Sequence, residues 1–496
     1  MTDLALLGAM VVLLFSVAAV RWSTRIGVPT LLVYLAIGVL IGESFLGLRF
    51  DDAELTRQLG TLALVLIIAE GGLGERWSRM RPVLATSVSL ATVGVLVSVA
   101  VVAVCTHYLA GKDWRLSLLM GAVISSTDAA AVFSVFRRLP IRPRIKSVLE
   151  SESGMNDPTA ALLVIMLSAV DNHGTWWQII LLLIYELLAG LVIGALTGVL
   201  GTMLLKRAAL PAAGLYPLAV VGLMLLAYSG GAVAHASGFM AVYVCAVILG
   251  NAKLPHRQAI VGFADGVAWL AQIGLFVMLG LLVSPPGLPG VIIPALIIGC
   301  VLTFVARPVS VWVSTAPFGW TAREQLFLSW AGLRGAVPIV FATIPLAQGV
   351  PEARWLFNVV FVLVVIFTLV QASTLPAAAR LLGVSAPNEP TEVRVESAPL
   401  ERMRADMLQL DIPAGSQLAG VHIDELRLPV GAVVTMVTRE GAGFVPERDT
   451  RLVAGDSLLI VAREDVRDET ERRLRAVSRR GRLARWFGEE GAELND

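Results

Sequence analysis

Hydrophobic residues arrive in this chain as runs of about 20, the length a helix needs to cross a bilayer, and they follow one another with short polar gaps until about residue 385. Such windows fall near residues 4–21, 28–47, 56–73, 83–109, 114–136, 147–170, 176–205, 211–229, 231–250, 259–283, 288–315, 321–347 and 355–382. They predict an all-α polytopic membrane protein with about thirteen transmembrane helices. A soluble core could not hide this much apolar surface: 56% of the 496 residues are hydrophobic and 16% charged, against about 25% charged in soluble domains. The first run follows Asp3 with no Lys or Arg before it and exceeds the apolar core of a signal peptide, so it reads as the first span. A net charge of +1, without any basic block carrying aromatics, sets nucleic-acid binding aside.

Lys and Arg collect in cytoplasmic loops. Loops after odd-numbered spans hold Arg21, Arg25, Arg76, Arg79, Arg81, Arg137, Arg138, Arg142, Arg144, Lys146, Lys206, Arg207, Lys253, Arg257 and Arg323. Those after even-numbered spans hold Arg49, Arg57, Lys112, Arg115 and Arg354. The bias puts the N-terminus outside and the polar C-terminal region in the cytosol, with the protein in the cell membrane. Cys105, Cys245 and Cys300 sit in apolar runs without metal-site spacing and read as buried, inert thiols; His107, His173 and His235 are isolated.

Two spans are interrupted by small and polar residues: Ser125-Ser126-Thr127-Asp128-Ala129-Ala130 in the fifth and Gly332-Leu333-Arg334-Gly335-Ala336-Val337-Pro338 in the twelfth. Irregular backbone at membrane depth is tolerated where it is buried in protein or lines a cavity. With the seventh span as connector, spans 1–6 and 8–13 form two inverted six-helix halves, and each break falls at the fifth position of its half. Paired breaks of this kind point to an ion site near the midplane of a secondary transporter.

Ionisable residues deep inside spans are costly and read as functional; the candidates are Glu70, Asp128, Glu152, Asp157, Arg307 and Arg334, while Glu186 and Asp265, nearer span ends or on an amphipathic face, read as structural. In the sixth span, Ser153 and Asp157 lie four positions apart and share a helix face. Glu152, five positions before Asp157, points about 140° away, where an arginine would keep it ionised and leave Asp157 to titrate. Asp157, Asp128, the Ser153 hydroxyl and the Thr127 hydroxyl or carbonyl supply the oxygen ligands an alkali cation needs, and a carboxylate that holds either a cation or a proton suffices for exchange. No GxxxxGK[ST] phosphate loop occurs, which argues against a primary pump.

The ordered set Glu70-Gly71-Gly72-Leu73, Thr127-Asp128-Ala129-Ala130, Glu152-Ser153 with Asn156-Asp157-Pro158, and Gly332-Leu333-Arg334-Gly335-Ala336-Val337-Pro338 resembles the NhaP-type antiporters of the monovalent cation/proton antiporter superfamily over residues 1–385. The resemblance implies an NhaA-like fold with crossed discontinuous helices, and a homodimer. It makes Asp157 the carrier of proton and cation, puts Asp128 and Thr127 in the broken helices, and lines the site with Ser153 and Glu70. It pairs Glu152 with Arg307, with Arg334 as a second candidate. The Asn156-Asp157 pair is similar to the electroneutral branch and implies one-for-one exchange. No cofactor is expected, and no enzymatic activity.

Residues 386–404 read as a linker, 405–467 as a small α+β domain and 468–496 as a charged tail whose first part is a solvated helix. Val433–Val437 and Ser457–Val461 alternate as strands do. Leu418-Ala419-Gly420, Glu425-Leu426-Arg427-Leu428-Pro429 and Gly455-Asp456 resemble the C-terminal half of the RCK (TrkA-C) potassium-regulatory module, which implies dimerisation and a small ligand. That tail favours K+ over Na+, while the site chemistry admits both. A ligand-gated potassium channel would share the tail, but the chain has no TVGYG-type filter. An intramembrane hydrolase would need an HExxH or a paired aspartyl motif, and neither occurs.

Overall fold

The computed structural model describes residues 3–26, 29–42, 52–127, 141–169, 176–208, 210–283, 285–385, 395–400, 405–413 and 415–487. Asp128 therefore lies outside the described residues, as do Arg49, Arg137, Arg138 and His173. The chain divides into two compact units, Met1–Ser385 and Ala386–Asp496.

The first unit is helical: α1 Asp3–Ile26, α2 Thr30–Ile41, α3 Ala53–Gly74, α4 Trp77–Ala110, α5 Trp114–Ser125, α6 Pro143–Ser168, α7 Trp176–Arg207, α8 Leu215–Val233, α9 Gly238–Asn251, α10 Arg257–Leu282, α11 Pro285–Phe318, α12 Ala322–Trp330, α13 Ala336–Ala347 and α14 Ala353–Leu381. Among the described residues seven helices, including α3, α4, α7 and α14, are long and apolar enough to cross a membrane, and α1, α2, α5, α9 and α13 carry shorter apolar stretches. Local chemistry sets several starts. Asp52 accepts from the Leu55 amide ahead of α3, Asp113 from Arg115 and Leu116 ahead of α5, and Ser237 from Met240 ahead of α9. Thr321 and Glu324 close a capping box at α12, satisfying amides that would otherwise be orphaned.

Two features repeat at matched places in the halves. The expected interruptions begin where the sequence places them: among the described residues α5 ends at Ser125 with Ser126 extended, and residues 331–335 are non-helical between α12 and α13. Each half also carries a π-helical turn in its fourth span, Leu90–Gly94 in α4 and Leu302–Ala306 in α11. The two bulged helices pack together, the Ser89 hydroxyl donating to the Ser314 carbonyl at 2.9 Å. Helix α6 is buried on nearly all sides although it carries Glu152 and Asp157, and α7 is largely exposed, as suits a connector at the rim. Cys245 is buried, whereas Cys300 lies on the outer face of α11, against the expectation of a buried thiol.

The second unit is a five-stranded antiparallel sheet in the order β1-β2-β5-β3-β4, with β1 Val395–Leu400, β2 Ala405–Asp411, β3 Ala432–Arg439, β4 Ala442–Phe444 and β5 Ser457–Arg463. Leu408 faces Ile460 and Leu410 faces Leu458 across β2 and β5, all four fully buried. Helix α15, Arg467–Arg480, corrects the expected solvated helix: Thr470, Leu474 and Val477 form a buried stripe against this core.

Candidate ion-binding site

The break in the twelfth span folds onto the break in the fifth. Arg334, 2% exposed, donates through Nη1 to the carbonyls of Ser125 and Ser126 at 2.6 and 2.5 Å. These oxygens lost their helical partners when α5 stopped, so a fixed cation satisfies the negative end of a half-helix. Thr368 of α14 holds the Arg334 carbonyl in turn.

Opposite these groups stands α6. The Ser126 hydroxyl donates to Asp157 Oδ1, Thr127 Oγ1 lies 3.0 Å from Ser153 Oγ, and the Asn156 amide donates to Thr127 Oγ1 at 2.5 Å. The extended backbone at Ser126 brings its hydroxyl and that of Thr127 against a helix face made of Ser153, Asn156 and Asp157. Pro158 lacks the N–H that would bond the carbonyl of Gly154, which loosens α6 at this level.

Glu152 turns the other way. Arg307 Nη1 and Nη2 donate to Glu152 Oε1 and Oε2 at 2.5 and 2.8 Å, a bidentate pair in which neither side chain exceeds 5% exposure. Of the two candidate arginines, Arg307 reaches Glu152, and Arg334 binds carbonyls. Arg307 directly follows the π-turn of α11, where a bulge re-aims the helix. A Cβ at Gly332 would lie 2.6 Å from Arg307 Nε, so the twelfth span needs glycine there to admit the guanidinium.

A cavity of about 290 Å³ reaches from Arg76, Arg79 and Glu150 to Asp157 and Ser153, with Glu70 along its wall. It also holds a carboxylate missed in the sequence. Glu75, just beyond α3, accepts from the Tyr243 hydroxyl at 2.9 Å and from Ser151 at 3.4 Å. A Cβ at Gly154 would meet the Tyr243 ring at 2.5 Å, so α9 rests this ring directly on the α6 backbone. Ser126, the hydroxyl on Asp157, was likewise overlooked as a site residue. Asp128 belongs to the same segment but lies outside the described residues.

A helical membrane domain whose two broken spans meet beside a carboxylate at the end of a polar cavity is that of a secondary ion transporter. The sequence matches the family described as sodium/hydrogen exchanger, transmembrane, over residues 11–381, and the TrkA-C domain over residues 407–475. It is 37% identical over 468 residues to the K(+)/H(+) antiporter NhaP of Alkalimonas amylolytica, covering 93% of this chain and 81% of the relative. To the K(+)/H(+) antiporter NhaP2 of Shewanella baltica it is 35% identical over 478 residues, 94% of this chain and 82% of the relative. The structure of the sodium proton antiporter MjNhaP1 from Methanocaldococcus jannaschii superposes with a TM-score of 0.68 at 23% identity, over 77% of this chain and 99% of that one. The chain belongs to the sodium/hydrogen exchanger family. It is a multi-pass cation/proton antiporter, a secondary transporter and not an enzyme.

Proposed function

We propose that this antiporter exchanges K+ for H+ one for one across the cell membrane, with Asp157 as the exchanging carboxylate. The observation that carries the reading is the division of labour on α6. Glu152 is neutralised by a bidentate arginine, while Asp157 faces the cavity beside the hydroxyls of Ser126, Ser153 and Thr127. Hard oxygen donors suit an alkali cation, and Asn156 and Glu70 complete the surroundings together with Asp128 by its position in the sequence. Cation and proton compete for the same oxygens, so apparent cation affinity falls as pH falls.

Potassium is favoured because the relatives at 37% and 35% identity are named K(+)/H(+) antiporters and span the TrkA-C domain as well. Sodium is the second reading, favoured by the name of the MjNhaP1 neighbour. The same proposal puts the N-terminus outside and the TrkA-C domain in the cytosol, from the loop charges. It includes a homodimer and a small ligand on the TrkA-C domain, following the resemblance.

The test is dequenching of a pH-sensitive dye in liposomes of purified protein, with potassium and sodium chloride side by side. Potassium should act at the lower concentration; a sodium preference transfers the reading to Na+/H+ exchange. Asp157→Asn keeps the shape but removes charge and exchangeable proton, and should show no cation-dependent flux at any pH. Parent-like flux from that variant would mean another residue carries the ion.

A further inference from the structure

A second cavity, of about 970 Å³, lies between α4, α6, α7 and α9. Its wall is aliphatic, with Leu84 and Val88 from α4, Leu187 and Leu191 from α7, and Val247 and Ile248 from α9. Apolar cavities stay dry, and one between membrane-spanning helices is filled by hydrocarbon.

One end is different. Trp77 begins α4, Asn251 ends α9 and Lys206 lies in the last turn of α7, and all three line the cavity. They sit beside Arg76, Arg79 and Arg207, on the side where cationic loops collect. Trp and Lys are the residues that settle at the headgroup layer. Lys206 is exposed and makes no ion pair or hydrogen bond among the described residues. Aliphatic depth below a single unengaged cation matches an acyl chain below a phosphate.

We propose that this cavity binds an anionic phospholipid, with an acyl chain between α4, α6, α7 and α9 and the phosphate on Lys206. The site backs onto the ion cavity. Met155 and Thr159 of α6 line the lipid side, and Ser153 and Asp157 line the ion side. The two pairs are offset by two residues, about 200° around the helix, and so occupy opposite faces. Tyr243 belongs to both walls and holds Glu75 through its hydroxyl. A seated chain therefore supports the helix and the ring that shape the ion cavity.

The experiment compares full-length protein reconstituted in phosphatidylcholine alone and in mixtures with phosphatidylglycerol, reading retained lipid by native mass spectrometry and cation-dependent proton flux in the same preparations. The parent should retain phosphatidylglycerol over phosphatidylcholine by about five-fold, the worth of one lysine near the headgroup layer, and exchange faster with it present. Lys206→Ala should keep a lipid but lose the preference. Val88→Trp, at a partly exposed wall position, should retain no lipid and exchange slowly in both mixtures; Leu191→Trp fills the cavity from the opposite wall should the first variant fail to fold. No retained lipid in the parent, or an undiminished preference in Lys206→Ala, overturns the proposal. So does efficient disulfide linkage of two copies through Leu191→Cys, which would mean a second copy closes the cavity.

Discussion

Glu152 and Asp157 lie five residues apart on one helix and receive opposite partners, one a guanidinium and the other a hydroxyl. Removing one member of a buried ion pair costs about 3–5 kcal/mol, because the other charge stays buried alone. Arg307→Ala should therefore lower both the amount of folded protein and its melting temperature in detergent, along with transport; an abundant, thermally unchanged and active variant would refute a scaffold role for the pair. Gly332→Ala tests the same contact from the other side, since its Cβ meets Arg307 Nε at 2.6 Å and pushes the guanidinium off Glu152 while both charges stay in the protein. Its melting temperature should fall part of the way towards that of Arg307→Ala, and an unshifted melt would mean that the guanidinium has room to spare. The opposed directions of Glu152 and Asp157 were readable from 100° per residue alone. The choice of Arg307 over Arg334 was not, because it depends on how two distant spans cross. Ser126 escaped notice because side-chain direction carries no periodic signal once a helix has stopped. Glu75 was within reach: it stands five residues after Glu70, at the end of an apolar span.

Among the elements, the broken spans declared themselves through runs of small and polar residues, but the π-turns at Leu90–Gly94 and Leu302–Ala306 did not, since their composition is that of any apolar helix. Helix α15 was misread for the opposite reason. Its density of Arg and Glu concealed Thr470, Leu474 and Val477, spaced i, i+4 and i+7, which is the signature of one buried face. The sheet beneath that helix has its own electrostatic clamp. Asp456, 1% exposed, accepts from Arg439 Nε and Nη2, each at 2.8 Å, and from the Val453 amide. The Arg439 hydrogen bonds hold its carboxyl below the usual aspartate range against the opposing effect of burial, with the Val453 amide helping. A depressed carboxyl contributes stability that is complete above its unfolded pKa, about 3.9, and is lost as pH falls through the lower folded value. Asp456→Asn should thus cost about 1–3 kcal/mol at neutral pH, with the gap to the parent closing in acid. Hydrogen exchange of β3 and β5 in the full-length protein reads this directly, and a gap that persists unchanged into acid would assign the loss to packing instead of charge.

At the scale of the molecule, the end of the apolar runs near residue 385 agrees with the division between Met1–Ser385 and Ala386–Asp496, but the terms of a truncation come from the structure. Helix α14 ends at Leu381, yet Ser385 pairs with Ile141 and the Arg142 amide donates to the Val384 carbonyl at 3.4 Å, so residues 384 and 385 brace the start of α6. A cut at the helix end would strip this brace from the helix that carries Asp157, and a loss of activity would then say nothing about regulation. The informative truncation leaves Ser385 in place. The site elements, α5, α6, α11, α12 and α13, all lie within Met1–Ser385, so this shortened chain should insert and still exchange cation for protons with an unchanged requirement for Asp157. Its dependence on pH or on cytosolic ligand should differ from that of the full chain, because the TrkA-C domain, matched over residues 407–475, is the part removed. Flux measured over a pH series in liposomes, with both chains at equal protein density, separates the outcomes. Superimposable profiles would reduce residues 386–496 to a packing appendage without regulatory weight.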